Sequence, residues 1–487
     1  MFLFALGKGS RNLRNLPTFS HPQTAVAGLF CCFAVEQVSH NTFGWTYRGS
    51  RFSNIMAVIR PFRAFRSDSH LREPLSDRTA PLWESLTAEQ IADLRLKKEN
   101  AVHLSVPAST ELAVQIWNEW RNSGTVLQDP LPALYPWFQR FSLFGTTHLY
   151  ERRGFVALVR LNQKGTPDDV VVHEDTLAPV VQERAKYLRA LPLNVTPVHG
   201  LYYDPYFEIE KRLEPYADNP WADLMDPQGV RHSLSIMQHP DDVSFIAEHM
   251  ANKTIYLADG HHRLQTSGMY RDYIEAQGIA KTQVHQYIMM YLTNYAADDL
   301  RILPTHRLVE LVDNFDEQAF RNALQEYFNI ETFDSRTPLP DQLKGDSHAF
   351  GLLFDDRQIL IRLKPELDTD TLIQLDVPSS VKRLGYTILH DLLIDRLLGI
   401  PYAEQNSSSR ISYIKDFAAV HRAVHSGGKR QMGILVNEVS MAELLAVCND
   451  GARMPQKSTY FFPKVISGLL YASLQDHDNL APVDPRF

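Results

Sequence analysis

The sequence predicts a mixed α/β protein of the α+β type, because short apolar segments alternate along the chain with longer amphipathic ones. Residues 154–161 and 286–294 are nearly continuous apolar runs, the kind found in strands that are buried on both faces. Hydrophobic residues make up 44% and charged residues 22% of the 487 residues, as is typical of a soluble globular enzyme. This length is enough for two or three domains, or for one large core with additions.

The first 55 residues differ in character from those that follow. Lys8, Arg11 and Arg14 precede an apolar run at residues 25–35, which loosely resembles a secretory signal. The run is too short to span a bilayer, and no small-x-small cleavage site follows it. Met56 then begins a segment that is typical of a natural protein start. We interpret residues 1–55 as a non-homologous extension, disordered or derived from a misplaced start; a mitochondrial-type presequence is the alternative.

Capping signals predict two helices early in the remaining chain. Thr87 and Gln90 form a capping-box pair for a helix that reaches residue 100. Ser109 or Thr110 begins a second helix, which ends just before Gly124. Its apolar face carries tryptophans, which we assign to the core.

The middle of the chain alternates strands with helices. Residues 170–176 predict a strand that ends in His173, Glu174 and a second acid, and residues 177–191 predict a helix despite Pro179. Further strands are predicted over residues 154–161, 196–203, 231–237, 255–258 and 286–294, and a helix over residues 241–251. We assign three basic residues of the 177–191 helix to a solvated face: Arg184, Lys186 and Arg189.

A second segment begins near residue 300. Its pattern predicts one long helix over residues 381–398 and a helix over 440–449 that Ser440 and Glu443 cap. A further helix is predicted over residues 315–327, and strands over 329–333, 349–354, 358–363 and 431–437. We therefore divide the chain into an N-terminal domain at residues 56–299 and a C-terminal domain at residues 300–487.

The strongest functional signal is Asp259-Gly260-His261-His262-Arg263, which directly follows the apolar strand and precedes a helix. Glycine permits a tight bend and the close approach of a ligand to the backbone. The amides at the start of a helix, together with its dipole, favour an anion. The two histidines and Arg263 are potential cations, and Asp259 can hold a metal or accept a proton. The alternative is an ordinary Asp-Gly turn with surface His and Arg residues.

A second polar cluster lies between prolines near the end of the chain. Lys457, Ser458 and Thr459 supply one cation and two hydroxyl groups that can hold an anion. A plain surface turn explains the same residues nearly as well. Glu174, taken alone, is better explained as a solvated carboxylate at the end of a strand.

Together these clusters resemble a bacterial family known as domain of unknown function 1015. The resemblance rests on Pro61-Phe62-Arg63-Ala64, on the 259–263 motif and on residues 454–464, and it covers residues 56–474. That family is in turn similar to free serine kinases of the ParB/sulfiredoxin-like superfamily. The resemblance therefore implies a ParB/sulfiredoxin-like nucleotide-binding core with additional α/β segments.

The same resemblance implies roles for individual residues. Glu174 matches the catalytic glutamate that takes the hydroxyl proton, and Asp259 matches a second essential acid and a ligand for Mg²⁺. The remaining matches are the nucleotide-phosphate turn, Gly260, His261, His262 and Arg263, and a substrate- or phosphate-binding set, His173, Lys457, Ser458 and Thr459. ATP or ADP would be the phosphoryl donor, and free L-serine or another small hydroxyl metabolite the acceptor.

Departures from the kinase pattern keep a second interpretation open. Val171 and Val172 stand in place of a Lys-Pro pair before His173, and Leu264 replaces a tryptophan. Tyr460 and Phe461 stand in place of an Arg-His pair. The alternative is a non-catalytic nucleotide-binding regulator, a ParB-like switch without DNA binding.

Composition makes several other functions improbable on physical grounds. The net charge is −8 and no dense Lys/Arg block occurs, so the electrostatic footprint of a nucleic-acid-binding protein is missing. Three cysteines cannot form a disulfide framework, which agrees with the cytoplasm, and no membrane association is expected. Neighbouring histidines on a turn point apart, which disfavours a zinc site. A sulfiredoxin-type repair enzyme needs a reactive cysteine, whereas Cys448 lies in a predicted helix.

Overall fold

Two β-sheets organise the part of the chain that the computed structural model describes, which is residues 57–479 without 69–72, 144, 167, 280, 313, 334–338, 406–407 and 427–430. Strands and helices alternate as the sequence predicts, so the mixed α/β fold class is confirmed. The predicted extension at residues 1–55, Met56, Cys31 and Cys32 lie outside the described residues. Among the described helices, none is both long and apolar enough to cross a bilayer.

The first sheet has nine strands and mixes parallel with antiparallel pairing. Its centre is fully buried, since all eight residues of Tyr287–Asn294 are buried, as the apolar run predicts. The strands lie in the order Val170–Val171, Ile255–Asp259, Val198–Tyr202, Tyr287–Asn294, Leu149–Arg160, Tyr135–Ser142, Arg231–Leu234 and Ala222–Met225, and Ile59–Arg60 pairs with Leu149–Arg160. The predicted strand 170–176 is therefore wrong in length, because its pairing with Ile255–Asp259 ends at Val171.

Helices cover this sheet, and their ends follow the capping signals. Thr87 and Gln90 form the predicted capping box, although the helix stops at Arg95 rather than at residue 100. Ser109 caps the next helix, and Gly124 ends it with φ = 77°, both as predicted. The helices of this part are Leu75–Arg78, Ala88–Arg95, Val102–Ser105, Thr110–Ser123, Ala178–Ala190, Glu208–Leu213, Pro240–Met250 and His261–Gln277.

The second sheet has six strands and is entirely antiparallel. Its strands lie in the order Phe328–Phe333, Gln358–Leu363, Ala349–Leu353, Gln431–Leu435, His306–Glu310 and Ile411–Ile414, so that Ile411–Ile414 is an edge strand. The helices that accompany it include Glu317–Tyr327, Leu339–Leu343, Thr369–Leu372, Ser379–Lys382, Phe417–Val424 and Met441–Asn449. Ser440 and Glu443 form the predicted capping box of the last of these.

The long helix predicted over residues 381–398 is wrong. The structure has a short helix Ser379–Lys382, a break, a second short helix Gly385–Ile388 and a π-helix Leu389–Leu397. A Cβ atom at Gly385 would lie 2.1 Å from the Ser347 carbonyl oxygen, so the backbone approaches its neighbour closely at this point. This tertiary contact explains why the helical spacing of the leucines is not matched by one continuous helix.

After the second sheet, the chain returns to earlier parts of the molecule and forms two small two-stranded sheets with them. Ala472–Ser473 pairs with Leu193–Asn194, and Phe461–Phe462 pairs with Arg301–Ile302. The intervening segment therefore lies beside residues that come hundreds of positions earlier. The division into domains at residues 56–299 and 300–487 stays a prediction, while this return places residues 454–464 next to the motif at residues 259–263.

Candidate active site

Two acids lie at the same edge of the first sheet. Ile255–Asp259, here called the motif strand, runs parallel to Val170–Val171, with Tyr256 opposite Val171. Asp259 lies three positions after Tyr256, and Glu174 lies three positions after Val171. Both acids therefore lie at the carboxyl ends of neighbouring parallel strands. Beyond Val171 the backbone leaves the sheet, and Glu174 pairs instead with Met454 in an isolated parallel bridge. The late segment is thereby joined to the strand end.

Gly260 makes the turn from the motif strand into the helix His261–Gln277, here called the motif helix. Its φ of 96° lies in the left-handed region, which favours glycine. A Cβ atom there would lie 2.6 Å from Cγ1 of Val198 and 3.0 Å from a guanidinium nitrogen of Arg263. The local fold therefore requires this glycine, and phosphate binding by its backbone stays a prediction.

Asp259 is buried, with 9% of its side chain exposed, and two cations neutralise it. The Lys464 Nζ donates a hydrogen bond to its Oδ1, and Arg263 donates one of 2.7 Å to its Oδ2. Burial alone would raise the pKa of this carboxyl group, but Lys464 and Arg263 outweigh that effect and hold the pKa below its usual value. Asp259 is thus ionised and fully committed to ion pairs.

Arg263 is used within the protein. Besides Asp259, its guanidinium donates to the carbonyl oxygens of Pro197, at 2.7 Å, and Thr196, at 3.3 Å. Only 14% of the side chain is exposed. Arg263 therefore fastens the start of the motif helix to the neighbouring strand, and its predicted contact with a nucleotide phosphate stays a prediction.

The two histidines of the motif are not cations near neutral pH. Burial, and then the nearby His173, lower the pKa of His261 well below its usual value. The rings of His173 and His261 meet edge to face at 4.6 Å, and burial lowers the pKa of His173 to about 4. The pKa of His262 is also lowered, and its Nε2 accepts a hydrogen bond of 3.0 Å from the Leu177 amide. The expectation that these side chains add positive charge is wrong.

Glu174 is in the opposite state to Asp259. Its pKa is raised to about 7, chiefly because burial removes water from the carboxylate, while Lys464 and a backbone hydrogen bond from Lys457 act the other way. The charges of Asp259 and Glu84 raise the pKa further. The side chain is half-buried rather than sealed. A carboxyl group that exchanges its proton near pH 7 is suited to general acid–base chemistry.

The predicted late cluster divides into one buried residue and two that are partly or fully exposed. Ser458 is 1% exposed and donates to the Pro455 carbonyl oxygen at 2.6 Å, so it stabilises the turn. The Thr459 hydroxyl lies 3.0 Å from Nε2 of His173 and joins the late segment to the strand end. Lys457 is exposed, with φ = 57°, and its backbone reaches Glu174.

Several residues of the site escape prediction from sequence. Lys464 reaches Asp259 across 205 positions, and no local spacing signals such a pairing. Glu84 comes from the short 3₁₀ helix Trp83–Ser85 and keeps an exposed side chain; the protein packed around it and the charge of Asp259 both raise its pKa. Arg184 does not lie on a solvated face: its guanidinium is 4.4 Å from the ring centre of Trp83, and burial and Arg263 lower its pKa. Lys186 and Arg189 are exposed, as predicted.

A cavity of about 720 Å³ opens beside these groups. Glu174, Asp175 and His261 lie at one end, and the exposed side of the motif helix forms a wall with Leu264 and Gly268. This volume lies within the usual range for pockets that hold drug-sized ligands and cofactors. The carboxyl group of Glu174 therefore borders a space that can admit a small molecule.

The assignment of Asp259 to Mg²⁺ does not fit its surroundings, because both of its oxygens already accept from cations. Among the residues that the structure describes, no group of three or more His, Cys, Asp or Glu side chains is placed to hold a metal ion. Magnesium carried by nucleotide phosphates needs few protein ligands.

Comparison with known protein families identifies the chain. The family model described as "Protein of unknown function (DUF1015)" matches residues 59–380, and the chain belongs to this family. The resemblance to this family is thereby confirmed over residues 59–380, whereas the resemblance at residues 454–464 lies beyond the match and stays a prediction. A search of the curated proteins found no match.

Several solved structures are similar to the chain at low identity. A free serine kinase in complex with AMP has a TM-score of 0.32 and 10% identity, covering 64% of this chain and 90% of that chain. A conserved hypothetical protein from Pyrococcus furiosus has a TM-score of 0.30 and 10% identity, with coverages of 63% and 93%. SbnI with a C-terminal truncation, from Staphylococcus aureus, has a TM-score of 0.30 and 11% identity, with coverages of 65% and 82%. Similarities of this strength carry no conclusion about activity.

Proposed function

We propose that this DUF1015 protein is a nucleotide-dependent phosphotransferase that acts on a small hydroxyl metabolite, with free L-serine as the first acceptor to test. The observation that carries the proposal is Glu174, whose carboxyl group has a pKa of about 7 and borders the 720 Å³ cavity. ATP or ADP is the proposed donor, on the strength of the motif at residues 259–263 and its helix start. A nucleotide and the hydroxyl substrate are then the ligands of one cleft.

In the proposed reaction, the acceptor hydroxyl oxygen attacks the terminal phosphorus of the nucleotide. The bond between that phosphorus and the bridging oxygen breaks, and the departing nucleotide keeps the electron pair. Glu174 receives the hydroxyl proton. Phosphoryl transfer asks the protein mainly for positioning and for charge stabilisation, so a carboxylate that orients the hydroxyl and takes its proton is sufficient.

Positive charge for the transferring group comes from fixed parts of the site. The start of the motif helix offers backbone amides and the positive end of its dipole. Lys464 is paired with Asp259, and its charge acts on both Asp259 and Glu174. The two histidines are neutral and contribute hydrogen bonds rather than charge. Arg263 stabilises the turn indirectly, through its ion pair with Asp259.

A second candidate function has its own support. Asp259 is locked in two ion pairs, and the Lys-Pro and Arg-His pairs of the kinase pattern are replaced. A nucleotide-binding regulator without transfer chemistry needs the same helix start but no proton acceptor. The two candidates therefore differ in what Glu174 does.

The test compares Glu174→Gln with wild type and with Glu366→Gln, a matched change at an exposed position. Glutamine keeps shape and hydrogen bonding but cannot accept the proton. We expect nucleotide affinity to stay within about threefold, since no charge contact to phosphate is lost, while turnover falls by roughly 10²–10⁴-fold, the usual range for a general base. Nucleotide binding is measured by calorimetry, and phosphoserine or other phosphorylated products by mass spectrometry.

The opposite result is equally specific. If wild-type protein binds nucleotide but phosphorylates no member of a broad panel of hydroxyl metabolites, the phosphotransferase proposal is wrong. The regulator then becomes the better account. Unchanged turnover in Glu174→Gln would remove this residue, but not the reaction, from the proposal.

A further inference from the structure

The second sheet places cations beside the late segment that carries Lys457, Tyr460 and Lys464. Tyr413, on the edge strand Ile411–Ile414, lies opposite Arg307 in the sheet, and the Arg307 guanidinium is 4.6 Å from the Tyr413 ring centre. The ammonium group of Lys457 is 3.8 Å from the centre of the same ring. One tyrosine ring thus contacts one cation of the sheet and one of the late segment.

Tyr460 repeats this arrangement a short distance away. The Lys415 Nζ lies 3.5 Å from its ring centre, and the Lys464 Nζ lies 4.7 Å from it. Lys415 follows Tyr413 by two positions, where an extended chain returns to the same side. We refer to Arg307, Tyr413, Lys415, Lys457 and Tyr460 as the tyrosine–cation cluster.

The cluster is connected to the candidate active site. The charges of Asp259, Glu84 and Lys464 all act on Lys415, whose pKa burial lowers to about 8. Lys457 acts on Glu174 through both its backbone and its charge. The tyrosine–cation cluster therefore adjoins both acids, because Lys464 contacts both Asp259 and the Tyr460 ring and the Lys457 backbone reaches Glu174.

Positive charge in this space exceeds negative charge. Lys464 is paired with Asp259, but among the described residues Lys415 and Lys457 make no ion pair. Arg307 is fully buried without a carboxylate partner, and its Nε has no hydrogen-bond partner. Aromatic rings hold a cation in place but do not neutralise it. A positive cleft in a chain with net charge −8 is built for an anion.

We propose that Lys415 and Lys457 bind phosphate oxygens of a ligand from the second-sheet side of the cleft, each held in position by its tyrosine ring. Arg307 is a positioning residue, because it contacts Tyr413 and donates to the Lys457 carbonyl oxygen at 3.4 Å. Several ammonium groups in one cleft suit a polyanion better than a single carboxylate. The identification of that ligand as a nucleotide rests on the proposed function. The phosphate of a phosphorylated acceptor has the same chemistry and is separated by experiment.

The experiment measures binding of tripolyphosphate, ATP, adenosine and O-phosphoserine to the full chain by calorimetry. Lys415→Met, Lys457→Met and their combination are compared with Lys98→Met combined with Lys344→Met, which removes equal charge at exposed positions. We expect the cleft double variant to bind tripolyphosphate and ATP roughly 10–100-fold more weakly, the range for lost hydrogen bonds to charged groups. Adenosine affinity stays unchanged, and Lys→Arg at both positions restores affinity to within about threefold.

Each outcome decides a separate point. Loss confined to O-phosphoserine assigns the lysines to the phosphorylated acceptor instead of the nucleotide. Unchanged affinity for every phosphate probe overturns the inference, and the phosphotransferase proposal stands if ATP still binds. Lysine-dependent binding of tripolyphosphate without any phosphoryl transfer supports the inference and contradicts the proposed function. Wild-type protein that binds no phosphate compound contradicts both. Unfolding temperatures of all variants separate lost binding from lost folding.

Discussion

Two neighbouring strand ends carry the same kind of side chain in opposite electrostatic states. Asp259 is buried yet ionised, because Lys464 and Arg263 hydrogen-bond to its oxygens. Glu174 is also removed from water, but no cationic side chain among the described residues hydrogen-bonds to it, and its pKa rises to about 7. The direct partners therefore decide the outcome more strongly than burial does. One acid stabilises the turn, and the other is available for proton transfer.

The largest expected loss of stability comes from replacing Lys464, the partner that helps to keep the buried Asp259 ionised. In Lys464→Met, Asp259 keeps a buried charge with only Arg263 to compensate it. We expect the free energy of unfolding at pH 7 to fall by ~3–5 kcal/mol, the usual effect of breaking a buried ion pair. The difference from wild type should shrink toward acidic pH, where Asp259 takes up a proton. Urea unfolding over a pH series measures both effects.

The matched control for this change is the double variant Asp259→Asn with Lys464→Met, which removes the buried carboxylate charge together with Lys464 and leaves Arg263 its two backbone carbonyl acceptors. It should recover part of the lost stability. A loss below about 1 kcal/mol in Lys464→Met would contradict the view that this lysine sets the charge state of Asp259.

A smaller effect is expected from Arg263→Ala. The sequence motif predicts a loss of nucleotide affinity only, but the structure adds a role in holding Asp259 to the carbonyl oxygens of Thr196 and Pro197. We expect a stability loss of ~1.5–3 kcal/mol without any ligand, the range for hydrogen bonds to charged groups. Thermal and denaturant unfolding of the ligand-free variant provide the measurement. Weaker nucleotide binding at full stability would instead support a direct phosphate contact.

The smallest expected change in stability comes from replacing Glu174, and this change depends on pH. The folded protein keeps the Glu174 proton up to a pKa of about 7, whereas the unfolded chain releases it near the ordinary value of 4.5. Between pH 4.5 and about 7, the folded state therefore holds one more proton at Glu174 than the unfolded chain does. The free energy of unfolding of wild type falls as the pH rises through this range. Glu174→Gln removes this loss. We expect a gain of ~1–2 kcal/mol at pH 8 relative to acidic pH, after allowance for partial exposure.

Unfolding of wild type and Glu174→Gln at pH 4.5 and pH 8 measures that gain, and Glu366→Gln reports the effect of an exposed glutamate. Equal stability differences at the two pH values would show that Glu174 has an ordinary pKa. The contrast with Asp259 would then be lost, and with it the strongest reason to assign proton transfer to Glu174.

Local features were predictable because the interactions that create them lie within a few residues. The capping boxes at Thr87 and Ser440 involve side chains three positions apart, and the end of a helix at Gly124 needs only a left-handed backbone. The Asp259–Arg263 turn is local in the same sense. Its ion pair spans four residues of one strand-to-helix connection.

Predictions failed where contacts with a distant part of the chain determine the local structure. The backbone near Ser347 approaches Gly385 so closely that the expected long helix is interrupted. The strand after Val170 ends early because Glu174 pairs with Met454 instead of continuing along the motif strand. Hydrophobic spacing cannot report such contacts, because it describes which faces are apolar and not what packs against them.

The sequence by itself determined the mixed α/β fold class, the capped helix starts at Thr87, Ser109 and Ser440, and the cluster of polar residues at 259–263, since propensity, capping and turn chemistry act over short distances. Only the tertiary structure decided which of these polar groups are charged and which are accessible. Lys464 and Glu84 come from distant parts of the chain and act on the pKa of Glu174, and both also act on the pKa of Lys415. The physical reason is that charges interact through space, over distances that chain separation does not measure.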